Sequence, residues 1–222
     1  MTKTTLLFPL RLVGFAVLAL LPAFASAADG SFDEGIEYQR ITPAQPTRAP
    51  AGKVEVVELF WYGCPHCYTF EPHLREWLKN KPDYVEFRRI PAALNPQWQV
   101  HALAYYVAEE LGVLDQANKD LFHALQEEKR RLATPEALAQ FFQEKYDVSR
   151  ERFMEVANSF AVRAKLTHAA RQVQRYGASS VPSIVVDGKY LTTAPMAGGS
   201  YEGLLKVVDH LVAKEHDAQA KE

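Results

Sequence analysis

The chain of 222 residues contains two cysteines, and they stand three apart in Cys64-Pro65-His66-Cys67. A Cys-x-x-Cys pair can hold a metal, attach a haem, form a structural bridge, or exchange electrons with other thiols. A zinc site needs a second knuckle or a histidine pair, and the seven histidines, at 66, 73, 101, 123, 168, 210 and 216, are scattered. A c-type haem attachment needs histidine directly after the second cysteine, where Tyr68 stands. A bridge closing so small a loop removes little entropy from the unfolded chain, so it is a weak staple. No metal and no cofactor is expected. Dithiol–disulfide exchange is the chemistry these residues support best.

Exchange requires two unlike sulfurs, and the flanking sequence supplies the difference. Val54 to Trp61 is apolar and β-branched, bounded by Gly52 and Gly63, and reads as a buried strand. Phe70, Leu74, Trp77 and Leu78 recur at helical spacing, so the pair lies where a strand hands over to a helix. Cys64 then sits at or just before the first turn, where free N–H groups and the helix dipole favour a thiolate. Cys67 falls on the core-facing stripe. One sulfur is expected exposed and reactive, the other shielded. Pro65 suits the first helical position, which has no N–H to lose. Protonated His66 adds positive charge beside Cys64, and its ring N–H can donate to the sulfur. Both effects stabilise the reduced form and make the disulfide the stronger oxidant.

Cys64-Pro65-His66-Cys67 after an apolar strand resembles the DsbA family of thiol:disulfide oxidoreductases. The resemblance implies a thioredoxin-like α/β fold interrupted by an α-helical insertion. It also implies that Glu58, six residues before Cys64, is a buried acid relaying a proton for Cys67. A carboxylate in a strand buried on both faces is expensive unless paired or functional; the alternative is a solvated edge position. Val181-Pro182 resembles the cis-proline loop that faces the cysteines, leaving the Val181 backbone to pair with an extended substrate. Arg89 aligns with a basic residue that approaches the acid, although Arg88 and Arg89 by themselves read as a solvated face. Pro72, eight residues past Cys64, matches a kinking proline of thioredoxin-fold proteins. Trp61-Tyr62-Gly63 carries no reading of its own.

The remaining chain supplies the scaffold. Residues 1–27 read as a signal peptide: Lys3 and Arg11, an apolar run from Leu12 to Leu21, then Ala25-Ser26-Ala27. The exported chain would carry 23 basic against 27 acidic residues, which gives no reason to expect nucleic acid. Gly35 to Ile41 suggests a short edge strand, and Tyr84 to Ile90 a second core strand. Five apolar stripes follow, opened by Asn95-Pro96, Thr134-Pro135 and Ser149 among others, and ending at Gly177. His101, His123 and His168 on these helices read as surface or satisfied histidines. Val181 to Val186 and Lys189 to Leu191 flank Asp187-Gly188, a two-residue hairpin signal. Ser200 caps a last helix, and Lys214 to Glu222 is expected to fray. The expected division is 28–94 and 171–222 for the thioredoxin-like domain and 95–170 for the helical insertion.

The functional expectation is a monomeric periplasmic oxidoreductase that donates a Cys64–Cys67 disulfide to reduced exported proteins. Trp61, Pro182 and Met196 would hold unfolded segments, and a quinone-linked membrane partner of the DsbB type would restore the disulfide. A disulfide isomerase or reductase of the same fold, and a periplasmic chaperone with an inert bridge, remain as alternatives.

Overall fold

The computed structural model describes residues 1–2 and 32–221; the expected signal peptide, residues 1–27, falls from residue 3 onward outside the described residues. From Phe32 the chain forms β1 (Gln39–Arg40), β2 (Val54–Phe60), α1 (Pro65–Asn80) and β3 (Val85–Pro91). Then come α2 (Pro96–Glu110), α3 (Leu114–Gln126), α4 (Pro135–Tyr146), α5 (Arg150–Ala157) and α6 (Phe160–Arg175). The chain closes with β4 (Ser183–Val186), β5 (Tyr190–Thr192) and α7 (Tyr201–Gln219). The sheet order is β1-β5-β4-β2-β3. β2 and β3 are parallel, while β4, β5 and β1 each run antiparallel to the strand beside them. This is the expected α/β arrangement, with five helices interposed between β3 and β4. No helix among the described residues is long and apolar enough to cross a membrane.

Local chemistry explains the element ends. Asn95, Thr134, Ser149 and Ser200 each cap a helix, accepting the backbone N–H of Trp98, Ala137, Arg152 and Gly203. Ser159 does the same for α6 through Val162, separating α5 from α6 where the sequence shows only a polar pair. Each such cap stabilises its helix by about 1 kcal/mol. At Gly177 the chain turns out of α6 with φ of +69°, a conformation that suits glycine.

β2 is buried throughout, and its two faces pack differently. Val54 and Val56 join Phe70, Leu74 and Trp77 of α1 and Leu204, Val208 and Leu211 of α7. Val57 and Leu59 face the other way, into the core formed with α2 to α6. The Trp77 indole donates to Asp209 at 2.7 Å and ties α1 to α7.

Several expectations are corrected. β1 shrinks to two residues, and Ile36 is 62% exposed, because residues 33–37 close a hydrogen-bonded turn instead. Register places Val186 opposite Tyr190, so the hairpin connection has three residues; Asp187 and Gly188 both take positive φ. α7 continues to Gln219 because Glu215 is buried and paired with Lys189, and His216 stacks on Tyr84 at 3.8 Å. His101, by contrast, is held as a core histidine, as expected: it is buried, with Nε2 on the Leu132 carbonyl at 3.1 Å.

The largest correction concerns the solvated-face reading of Arg88 and Arg89, whose side chains are only 20% and 18% exposed; the approach of Arg89 to Glu58 that the resemblance implied is present. β3 is an edge strand, and its two arginines fold in so that their guanidinium groups meet buried carboxylates of β2 and α1. Arg88 pairs with buried Glu55 and reaches the Tyr176 hydroxyl at 3.3 Å. Arg88→Met would leave Glu55 buried without its cation and is expected to cost about 3–5 kcal/mol. The double variant Glu55→Leu/Arg88→Met removes both charges and should recover most of that loss. Denaturant unfolding of the three proteins checks the expectation; an Arg88→Met variant as stable as the parent would refute it.

Candidate active site

The site begins where β2 ends. Trp61, Tyr62 and Gly63 carry the chain from the strand to the helix, and neighbouring helices fix each of them. The Trp61 indole stacks on Trp98 of α2 with centroids 4.6 Å apart and on His101 at 5.7 Å. It also lies across Gly63, where a Cβ would meet the indole ring at 2.2 Å. Tyr62 donates its hydroxyl to Asn118 of α3 at 3.0 Å, and its carbonyl accepts from Gln126 at 2.8 Å. Helix α3 thus holds the backbone just ahead of the cysteines.

Cys64 takes the N-cap position of α1 with extended backbone, φ −88° and ψ 116°, and Pro65 follows at the start of the helix. Cys64 makes no side-chain capping hydrogen bond of the kind the Ser, Thr and Asn caps make, but the N–H groups of His66 and Cys67 in the first turn favour its thiolate. The Cys64 pKa falls to about 6. A hydrogen bond with the Cys67 thiol lowers it most, and the two backbone N–H groups and the His66 charge add to the effect, while burial opposes them. For Cys67, burial first and then the Cys64 thiol push the pKa far upward. The electrostatic contrast expected from helix position is present. The exposure contrast is smaller than expected, since Cys64 is 8% exposed and Cys67 0%. Across the site, Val181–Pro182 is a cis peptide, and Cys64 Sγ lies 3.5 Å from the Val181 carbonyl. The loop and the thiol therefore cover one another.

Glu58 occupies β2 two residues before its end and is fully buried. It stands directly opposite Arg89 in the parallel register, and Arg89 Nε donates to its Oε2 at 2.7 Å. Arg89 also donates to Glu71 of α1 at 2.8 Å. The second Glu58 oxygen, Oε1, has no partner among the described residues. Burial pushes the Glu58 pKa up to about 7, with Arg89 opposing and the Glu71 charge adding to the rise. Glu58 in turn is one of the charges that raise the Cys67 pKa.

Cys64, Pro65, His66, Cys67, Val181 and Pro182 thus meet at one end of the sheet, with Glu58 beneath Cys67. Of the apolar groups expected around them, Trp61 and Met196 are half-buried and Pro182 is buried, which narrows the surface offered to an unfolded segment. Sequence reasoning missed Glu71, Asn118, Gln126 and Tyr201, whose hydroxyl donates to the His66 carbonyl at 3.0 Å. Glu71 carried a readable signal: it follows Cys67 by four residues and precedes Leu74 by three, on a stripe where a charge is anomalous.

The DSBA-like thioredoxin domain family matches residues 55–202. The chain belongs to the DsbA family. It is 39% identical to the thiol:disulfide interchange protein DsbA of Pseudomonas aeruginosa, covering 95% of this chain and 99% of that protein. A Burkholderia cepacia DsbA is 36% identical, with 90% and 93% covered. The crystal structure of P. aeruginosa DsbA superimposes with a TM-score of 0.79 at 40% identity, covering 86% of this chain and 97% of that one. DsbA of Xylella fastidiosa gives 0.76 at 33% identity, with 83% and 98% covered. With the family comes the thioredoxin-like fold with its helical insertion, and the chain is a thiol:disulfide oxidoreductase.

Glu58 makes a measurable claim about pH. Unfolded, its carboxyl ionises near 4.5; folded, near 7. Between those values the folded state binds the extra proton, so stability falls as pH rises through the window and the loss is complete above it. The full difference is about 3 kcal/mol. In the disulfide form, where no thiol titrates, Glu58→Gln should flatten the stability profile between pH 4.5 and 7 relative to the parent. Urea unfolding at several pH values tests this, and parallel profiles would contradict it.

Proposed function

We propose that the protein works as an oxidase of exported proteins, donating the Cys64–Cys67 disulfide to reduced clients. The observation that carries this reading is the unequal pair: Cys64 at a helix N-terminus with its pKa lowered to about 6, and Cys67 wholly buried one turn away with its pKa raised. A thiolate is the better leaving group and the more stable product, so the reduced state is favoured and the disulfide is readily given up. A client thiolate attacks Cys64, the Cys64–Cys67 bond breaks, and Cys67 takes up a proton, with Glu58 as its donor. A second client thiolate then attacks the client sulfur of the mixed disulfide. The client leaves oxidised, and the protein keeps the two electrons as a dithiol.

In this reading Pro65 and His66 tune the Cys64 sulfur. The Val181 carbonyl, beside that sulfur, pairs with an extended client segment, and Pro182 shapes the loop that presents it. Residues 1–27 serve as a signal peptide, and the protein acts in the periplasm. A quinone-linked membrane protein of the DsbB type reoxidises it. The thioredoxin-like domain comprises 28–94 and 171–222, with 95–170 as the insertion.

Ultraviolet absorbance of the reduced protein against pH tests the reading, paired with equilibration against glutathione. The Cys64 thiolate should appear with a midpoint near 6, against about 8.5 for a free thiol, and glutathione should reduce the disulfide easily. Cys67→Ser, first loaded with glutathione as a mixed disulfide on Cys64, should exchange with a reduced client peptide, releasing glutathione, and stall as a protein–peptide mixed disulfide, and Cys64→Ser should lose peptide oxidation altogether. An ordinary thiol midpoint together with a disulfide that resists glutathione would sink the oxidase reading.

A further inference from the structure

Tyr201 opens α7, and its hydroxyl donates to the carbonyl of His66 at 3.0 Å. That carbonyl belongs to the peptide unit joining His66 to Cys67. The N–H of the same unit belongs to the first turn of α1, which Cys64 caps, and it is one of the backbone groups that favour the Cys64 thiolate. Phenol and peptide therefore form one file, O–H···O=C–N–H, whose N–H end lies in the first turn of the helix that Cys64 caps. Hydrogen bonds in such a chain polarise one another, because drawing electron density onto the carbonyl oxygen makes the attached N–H a stronger donor. We propose that Tyr201 is a positioning residue for the reactive sulfur, holding and polarising the His66–Cys67 peptide so that its N–H favours negative charge on Cys64. The inference rests on the oxidase reading, since that charge is what makes the disulfide easy to give up.

The phenol is well placed for this role. Its ring packs on Phe70 of α1 with centroids 5.2 Å apart and on His73 at 5.4 Å. His73 is itself paired with Glu202, the residue after Tyr201, at 3.2 Å. Contacts from α1, one of them tied back to α7 through Glu202, thus aim the hydroxyl at the first turn of α1 without needing the hydrogen bond itself. Burial, and then the charges of Cys64 and Cys67, hold the Tyr201 pKa above the usual phenol value. The group therefore remains a donor across the range in which Cys64 ionises. The other titratable groups nearby, His66, His73 and Glu202, are untouched when only the hydroxyl is removed.

The test is Tyr201→Phe in the full chain, which keeps the ring packing and deletes the donor. The thiolate midpoint, read by ultraviolet absorbance, should rise by about 0.3–0.6 units. In glutathione the dithiol should lose a factor of about two to four relative to the disulfide. A merely structural role would lower thermal stability and leave the midpoint alone. 3-Fluorotyrosine at 201, nearly the same shape but a more acidic donor, should move the midpoint the other way; it also decides the matter should the phenylalanine variant fail to fold. Midpoints and glutathione equilibria equal to those of the parent in the folded variants overturn the proposal. The parent titration separates the two questions: a parent midpoint near about 8.5 removes the oxidase reading, whereas a low parent midpoint unmoved by either change removes only the role of Tyr201.

Discussion

Two sulfurs one helical turn apart must experience opposite electrostatics, and most of the structure around them serves that requirement. A helix start alone lowers one thiol, but only if the chain entering it is fixed well enough for N–H groups to point at the sulfur. Here β2 delivers the chain, α3 holds Tyr62 at both its hydroxyl and its carbonyl, and α2 clamps Trp61 over Gly63. The loop before β4 closes over Cys64 from the far side. These parts are distant in sequence, so the site exists only in the folded chain. The interposed helices are part of the active-site scaffold, since α2 and α3 grip the three residues ahead of Cys64.

Beneath the cysteines the fold tolerates an ionic layer that an isolated carboxylate could not occupy. Glu58 and Glu55 lie on opposite faces of β2, and Arg89 and Arg88 answer them from opposite faces of β3. The cations make this possible, because each guanidinium group pairs with a carboxylate that the sheet buries. The two pairs nevertheless differ. Arg88 and Tyr176 surround Glu55 on the side of α6. Glu58 shares its arginine with Glu71 and, among the described residues, keeps one oxygen unpartnered, and burial leaves it poised between its two protonation states near neutrality.

What was legible in the sequence follows from the range of each interaction. The caps at Asn95, Thr134, Ser149 and Ser200, the strand before the cysteines and the helix after them are set by neighbours within a few residues, and all are present. The burial of Arg88 and Arg89 was not legible in their own pattern, and only the resemblance pointed Arg89 at Glu58, because whether an arginine is solvated depends on which strand lies beside it and what that strand carries. Glu55 escaped notice for the same reason. The tail of α7 lacks apolar spacing after Val212, and it is ordered by Lys189 and Tyr84 from elsewhere in the chain. Tyr201 read as one apolar position among several on α7. Its hydroxyl matters only because α7 packs beside α1, which no local pattern announces.

The same asymmetry fixes the proton balance of exchange on the proposed reading. Two client thiols bring two electrons and two protons. One proton ends on Cys67, where burial keeps it at any ordinary pH. The other belongs to Cys64, which gives it up above about 6. Between that value and the ionisation of the client thiols near about 8.5, each oxidation of a client therefore releases one proton to solvent, and the drive to oxidise grows about tenfold per pH unit. The proton retained by Cys67 must be delivered inside the protein as the Cys64–Cys67 bond breaks. A carboxyl with a pKa near 7 and a free oxygen suits that task, because it is protonated often enough to give and ionised often enough to be refilled. Raising Glu58 and lowering Cys64 are thus complementary: one keeps a proton available where a buried sulfur needs it, and the other lets a proton go where charge makes the disulfide easy to surrender.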